Sequence, residues 1–175
     1  MKRLLLAFAA IAGMTLGLNA KSGWDLSVGY GGYTQMDATD MHDDWHGVNT
    51  AWGALTVGLN YHINNKLSVG PSYTFSSTTT KGGHNHSNIA YHVIMLNLRY
   101  NYYRAGIFNI YAHGGLGADI SHMQPKGGDS YNKGYFAFQI SPIGAEFNVT
   151  RGLNMYGELG FGAQGLLQVG FRLNL

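Results

Sequence analysis

Residues 67–76 read Leu67-Ser68-Val69-Gly70-Pro71-Ser72-Tyr73-Thr74-Phe75-Ser76, "LSVGPSYTFS". Odd positions are apolar or proline; even positions are small, mostly hydroxyl-bearing. This is period 2, the mark of a strand whose two faces meet different surroundings. A helical stripe would also need apolar residues three apart, and none is present. The question is which face meets the solvent.

The same pattern recurs along the chain. Trp24–Tyr33 places Leu26, Val28 and Tyr30 against Asp25, Ser27 and Gly29. Ala51–His62 sets Leu55, Val57, Leu59 and Tyr61 against Ala54, Thr56, Gly58 and Asn60. Ile89–Tyr102 sets Ile94, Leu96, Leu98, Tyr100 and Tyr102 against Asn97, Arg99 and Asn101. Phe108–Ser121 sets Phe108, Ile110, Ala112, Leu116 and Ile120 against Asn109, His113, Asp119 and Ser121. In Tyr135–Phe147 the apolar face shifts after Pro142, from Phe136, Phe138 and Ile140 to Ile143, Ala145 and Phe147, which predicts a bulge. Leu153–Gly162 and Leu166–Leu175 complete eight segments.

Tight links at 63–66, 103–106, 148–152 and 163–165 alternate with longer polar loops near 34–50, 77–88 and 122–133. Such alternation suits an antiparallel meander with one trimmed rim and one decorated rim.

Composition bounds the answer further. The chain has 175 residues, enough for one domain, and only 11% are charged. Typical soluble domains carry about 25%. There is no cysteine, so disulfides and thiolate metal sites are excluded. Residues 1–20 hold a basic start (Lys2, Arg3), an apolar run (Leu4 to Leu18) and Ala20 at a cleavage point, which predicts a secretory signal peptide. The domain is then 21–175. Without Lys2 and Arg3, nine of the eleven Lys/Arg remain against nine Asp/Glu. No basic stripe is left for nucleic acid. After residue 20 no apolar run is long enough for a transmembrane helix.

Two features place the apolar face outside, in lipid. The small, polar face also carries Arg99, Glu146, Glu158 and Arg172, and aromatics gather toward segment ends as interfacial girdles require. An open sheet edge in lipid would leave backbone groups unpaired, so the strands must close. The expected fold is all-β: an eight-stranded antiparallel up-and-down transmembrane β-barrel. The competitor is a soluble secreted sandwich or lipocalin-like barrel, which would show more surface charge and a ligand-cavity pattern.

The segment Gln168-Val169-Gly170-Phe171-Arg172-Leu173-Asn174-Leu175 sharpens this. Its Gln168, Gly170, Leu173 and Leu175 resemble the C-terminal assembly signal of bacterial outer-membrane barrels, with Leu175 where a Phe is usual. By alternation Val169, Phe171, Leu173 and Leu175 face lipid, and Gln168, Gly170, Arg172 and Asn174 face the lumen. The chain from about residue 22 onward resembles the small eight-stranded outer-membrane barrels of the OmpA/OmpX-like superfamily. That resemblance implies a bacterial outer-membrane location, both termini in the periplasm, no wide pore, and partners that include outer-membrane lipids, lipopolysaccharide and the barrel assembly machinery. It implies a non-enzymatic envelope scaffold or surface-contact protein, meeting an extracellular partner through its loops. A narrow porin-like channel for small or apolar solutes is the alternative.

Three groups could carry chemistry. Arg99, Glu146, Glu158 and Arg172 are expected to form a lumen ion-pair network, because unpaired buried charge is costly. His42 and His46 lie in one long loop beside Asp40, Asp43 and Asp44, and His84 and His86 lie in another. Histidine and carboxylate ligands suit zinc, copper or nickel, and plain solvated loops are the competing reading. His113 on an inward position fits a hydrogen-bonded lumen residue. The third group is His84-Asn85-His86-Ser87-Asn88, set against barrels that deacylate lipid A with a His, one residue, then Ser-Asn. Here His84 is one residue too far and His86 is adjacent, on the opposite side of a strand. No catalytic residue and no cofactor is therefore assigned. The loop residues Met41, Trp45, Met123 and Tyr131 are candidates for contact with a partner or with lipopolysaccharide sugars.

Overall fold

In the computed structural model the described residues, 23–38, 48–80, 87–125 and 128–175, form eight strands and one short helix. The signal-peptide reading of 1–20 lies outside them. The strands are β1 (Trp24–Gly32), β2 (Val48–His62), β3 (Leu67–Thr80), β4 (Ser87–Ala105), β5 (Phe108–Pro125), β6 (Tyr131–Thr150), β7 (Leu153–Gly162) and β8 (Leu167–Asn174). Each pairs antiparallel with the next, and β8 returns to β1 to close the barrel. At the seam Leu26 faces Leu173, Val28 faces Phe171 and Gly29 faces Gly170.

The barrel is inside out relative to a soluble one. Leu55, Val57, Leu96, Leu98, Leu116, Ile140, Leu159 and Val169 are exposed. Ser68, Ser72, Thr74, Ser76, Asn97, Gln139 and Gln168 are buried. In water that arrangement would forgo the apolar burial that drives folding; in lipid it is required. Aromatic belts mark two levels on the outer wall. At one, Trp24 packs on Tyr61 with ring centroids 5.0 Å apart, and Phe108 on Phe147 at 4.9 Å. At the other stand Tyr30, Trp52, Phe75 and His92.

The register of β6 against β7 shifts between Ile140 and Ile143, so Pro142 sits in an irregularity and the apolar face moves as the sequence indicates. Two tight turns use glycine at positive φ: Gly106 (+57°) and Gly152 (+94°). That region costs a residue with a Cβ more.

Other expectations are corrected. Strand reaches into both polar stretches, 77–88 and 122–133: β3 runs to Thr80, β4 starts at Ser87, β5 reaches Pro125 and β6 starts at Tyr131. Their sequences lack apolar alternation because above the membrane neither face needs it, while the ladder still pairs Thr79 with Asn88 and His122 with Asn132. The links at 103–106 and 148–152 shrink as β4 reaches Ala105 and β6 reaches Thr150. Leu173 stands in the outward row between Leu26 and Leu153 but is only 4% exposed. Asn174, assigned to the lumen, is exposed beside the turn at Gly152, whose carbonyl accepts its N–H.

Strand lengths make the rim slanted. β4, β5 and β6 have 19, 18 and 20 residues, whereas β7, β8 and β1 have 10, 8 and 9. About ten residues span the hydrocarbon. The tall strands thus rise by roughly eight further residues, about 26 Å of chain. The helix α1 (Gln35–Ala38) folds in on the low side. Thr34 donates its N–H and Oγ1 to the Asp37 carboxylate, capping that turn. The Gln35 side chain donates to the Phe136 carbonyl (3.1 Å) and accepts from the Phe138 N–H (3.3 Å), serving the β6 backbone beyond the reach of β7.

Candidate functional site

The lumen has two storeys. Toward the short turns it is charged. Glu146 on β6 is 2% exposed and accepts from Arg99 on β4 (3.0 Å) and from the Arg172 guanidinium on β8. Its other oxygen accepts from Asn109 and Asn154, each at 3.2 Å. Arg172 reaches Asp25 on β1 at 3.4 Å, and His62 closes on the same carboxylate at 2.9 Å. Tyr111 and Tyr156 lay their rings beside these cations, with Arg99 4.6 Å from the Tyr111 centroid and Arg172 4.8 Å from that of Tyr156.

Glu158 stands apart from the arginines. It contacts His113 Nδ1 at 2.9 Å and accepts the Tyr111 hydroxyl at 2.8 Å, while His113 Nε2 meets Asn97 at 3.1 Å. Of the four charged residues singled out in the sequence, three share one cluster and Glu158 anchors a second. Asp25, His62, Tyr111 and Tyr156 were missed as members. Inward parity marked Asp25, but nothing in a linear sequence shows which strands face each other across a lumen.

Toward the long loops an apolar group fills the lumen beside the buried Thr74, Ser76, Asp119 and Ser121. Ile89, Tyr91, Val93, Met95, Met123, Ala137 and Ala163 form one buried cluster with Met36 of α1. Met123, expected at a contact surface, is 5% exposed inside this cap, because β5 runs past it. Tyr131 is exposed at the rim. Between the storeys remains a cavity of about 30 Å³, lined by Ser27, Thr56, Ser72, His113, Tyr156 and Gln164 among others. That admits a water or two and nothing larger.

His42, His46, His84 and His86, and Met41 and Trp45, lie outside the described residues, so the metal reading gains no geometry. Ser87 opens β4, and the histidines proposed to activate it lie outside as well. Gln168 is buried, Gly170 faces Gly29 across the seam, and the Leu175 N–H donates to the Trp24 carbonyl at 2.8 Å.

On the outer wall, the β2 ladder is interrupted between Ala51 and Ala54. Gly53 there has φ +90°, and a Cβ would lie 2.5 Å from the Gly31 carbonyl oxygen. The irregularity turns Trp52 outward, as bulges do. Its indole N–H donates to Ser77 Oγ at 2.6 Å.

A family model described as "Outer membrane protein beta-barrel domain" matches residues 4–163. The chain belongs to the outer-membrane β-barrel domain family. Its place is the bacterial outer membrane. In such barrels short turns face the periplasm and long loops the outside, which orients the charged storey inward and the apolar cap outward. Among solved structures, the barrel is similar to Ail, the attachment invasion locus protein of Yersinia pestis, at 13% identity, with 86% of this chain and 94% of that chain covered and a TM-score of 0.50. A second Ail structure, in complex with the heparin analogue sucrose octasulfate, matches at the same identity and TM-score, covering 93% of that chain. At this identity the likeness is one of fold. No curated protein is significantly similar in sequence.

Proposed function

We propose that this outer-membrane barrel is a non-enzymatic envelope scaffold that contacts partners through its outer rim. The observation that carries the reading is the sealed lumen. Charged pairs occupy one storey and an apolar cluster with Met36 the other, and among the described residues the cavity between them measures about 30 Å³. A lumen filled this way leaves no path for a solute. The tall β3–β6 wall then offers the surface on which function acts. The heparin analogue in complex with Ail, a barrel of the same fold, supports an extracellular partner for this chain as well. Residues 1–20 direct export, and Gln168, Gly170, Leu173 and Leu175 serve as the assembly signal read by the barrel assembly machinery.

The test is electrical. Refolded protein added to planar lipid bilayers is expected to give no discrete conductance steps, and Arg99→Ser is expected to stay silent because the apolar cap is intact. Reproducible steps whose size changes with Arg99→Ser or Glu158→Gln would move the function into the lumen. Lipid A mass in cells is expected to be identical with wild-type and Ser87→Ala chains; a difference would restore the hydrolase reading.

A further inference from the structure

The bulge at Trp52 has a consequence outside the barrel. Trp52 is held at four points. Tyr30 donates its hydroxyl to the Trp52 carbonyl, and Ser76 Oγ donates to the Gly53 carbonyl at 2.8 Å. The indole bonds Ser77, and its ring packs on Phe75 at 6.0 Å and Tyr30 at 6.2 Å. An aromatic fixed in this way while 43% exposed is a preorganised platform.

Beside it lies a concavity of about 380 Å³. Trp52 forms one wall, His122 and Gln124 the other, and Ser77, Thr79, Asn88 and Ala90 the floor between. β2 and β5 are three strand spacings apart, so the walls stand roughly 14 Å from each other. The far wall is also fixed: His122 Nδ1 meets the Asn132 side-chain oxygen at 2.6 Å, and Gln124 Nε2 meets His122 Nε2 at 3.2 Å. Both ring nitrogens of His122 are thus engaged within the wall. Thr79 Oγ1 donates to the Asn88 side-chain carbonyl at 3.3 Å. Among the described residues, these bonds leave the Asn88 NH₂ and the Gln124 carbonyl for a ligand. Among the described residues, no carboxylate, ammonium or guanidinium lines the site.

A fixed indole face with neutral amide and hydroxyl groups suits a ligand with apolar C–H faces and many hydroxyls. Its described lining holds no acidic, lysine or arginine side chain to pair with an ionic headgroup. Its level decides the source. The floor residues Ser77 and Ala90 stand two positions beyond Phe75 and His92 of the aromatic belt, where hydrocarbon gives way to headgroups. We infer that this groove binds an uncharged hexose unit in the headgroup of an outer-leaflet glycolipid. The inference rests on the outward-rim reading for its location.

The experiment uses the folded barrel in phosphatidylcholine nanodiscs, with and without a dihexosyl diacylglycerol. The Trp52 indole N–H, the His122 ring and the Asn88 and Gln124 side-chain amide resonances are expected to shift together and saturate as glycolipid is added. Phosphatidylglycerol at the same fraction is expected to leave them in place. Ala90→Phe fills the floor from the outside and is expected to weaken the response at least about tenfold; Trp52→Leu is expected to do the same. Folding of each variant is read from the shift between unboiled and boiled samples on a gel. Silence of these signals, an equal response to phosphatidylglycerol, or an unaltered response in folded Ala90→Phe would overturn the site. Equally tight saturation by the free disaccharide would overturn the membrane source. None of these outcomes bears on bilayer conductance, so failure here and failure of the rim reading are separable.

Discussion

Glu146→Ala is expected to destabilise the barrel by about 3–5 kcal/mol, the range for removing one partner from a buried ion pair. The carboxylate is the common acceptor of Arg99, Arg172, Asn109 and Asn154. Removing it leaves Arg99 with the neutral Asn101 and Arg172 with Asp25 at 3.4 Å, each guanidinium 4–5% exposed in a lumen whose cavity holds a water or two. The side-chain area lost is a smaller matter, because a methyl group in that space would cost far less than the orphaned donors. Urea unfolding in detergent micelles, followed by tryptophan fluorescence, measures the loss.

A second variant separates charge from shape. Arg99→Met, Glu146→Leu and Arg172→Met together remove all three charges and keep most of the volume. This triple variant is expected to recover more than half of what Glu146→Ala loses, since uncharged replacements of a buried triad are often neutral or better. Asp25 keeps His62 and Asn60, so it is not left alone by the loss of Arg172. A loss below about 1 kcal/mol for Glu146→Ala would mean that water replaces the carboxylate freely. The lumen would then not be sealed at this storey.

The lipid-facing half of the molecule was legible because lipid enforces a rule. Every second residue must be apolar, so Leu55, Val57, Leu96 and Leu98 announce both the strand and its outward face. Where lipid ends the rule lapses. Ser76 to Thr80 pair as strand on the strength of the ladder and their β-branched threonines, a weaker and context-dependent signal. The cap was hidden for another reason. Ile89 to Leu98 carry apolar side chains on both faces, so parity cannot say that Tyr91, Val93 and Met95 point inward. Met36 arrives from outside the strands altogether. In the lumen, alternation placed the four charged residues, but contact across a barrel depends on strand order, tilt and bulges. Glu158 thus meets His113 instead of an arginine. The Trp52 groove depends on one irregularity between Ala51 and Ala54, which no alternation reveals.

Gly170→Ala is expected to impair closure severely, by about 3 kcal/mol or more, at the upper end of overpacking costs. Gly170 and Gly29 face each other across the seam between β8 and β1. A Cβ on Gly170 would lie 2.3 Å from the Val28 carbonyl oxygen, 2.7 Å from the Gly29 Cα and 2.8 Å from the Tyr156 ring. The first two are backbone atoms, so no side-chain rotation relieves the clash. Tyr156 lies over this glycine pair and stacks beneath Arg172, so displacing it also loosens the charged storey. Gly157→Ala is the control: its Cβ meets only the Gln168 carbonyl oxygen, at 3.8 Å, and the folded fraction is expected to match wild type. Both variants are refolded from urea into detergent without any assembly factor, and the heat-modifiable gel shift counts closed barrels. Poor closure of Gly170→Ala in this purified system assigns the glycine to the geometry of the seam. Normal closure there, with failure only in cells, would assign it instead to recognition by the assembly machinery, and the steric account would be wrong.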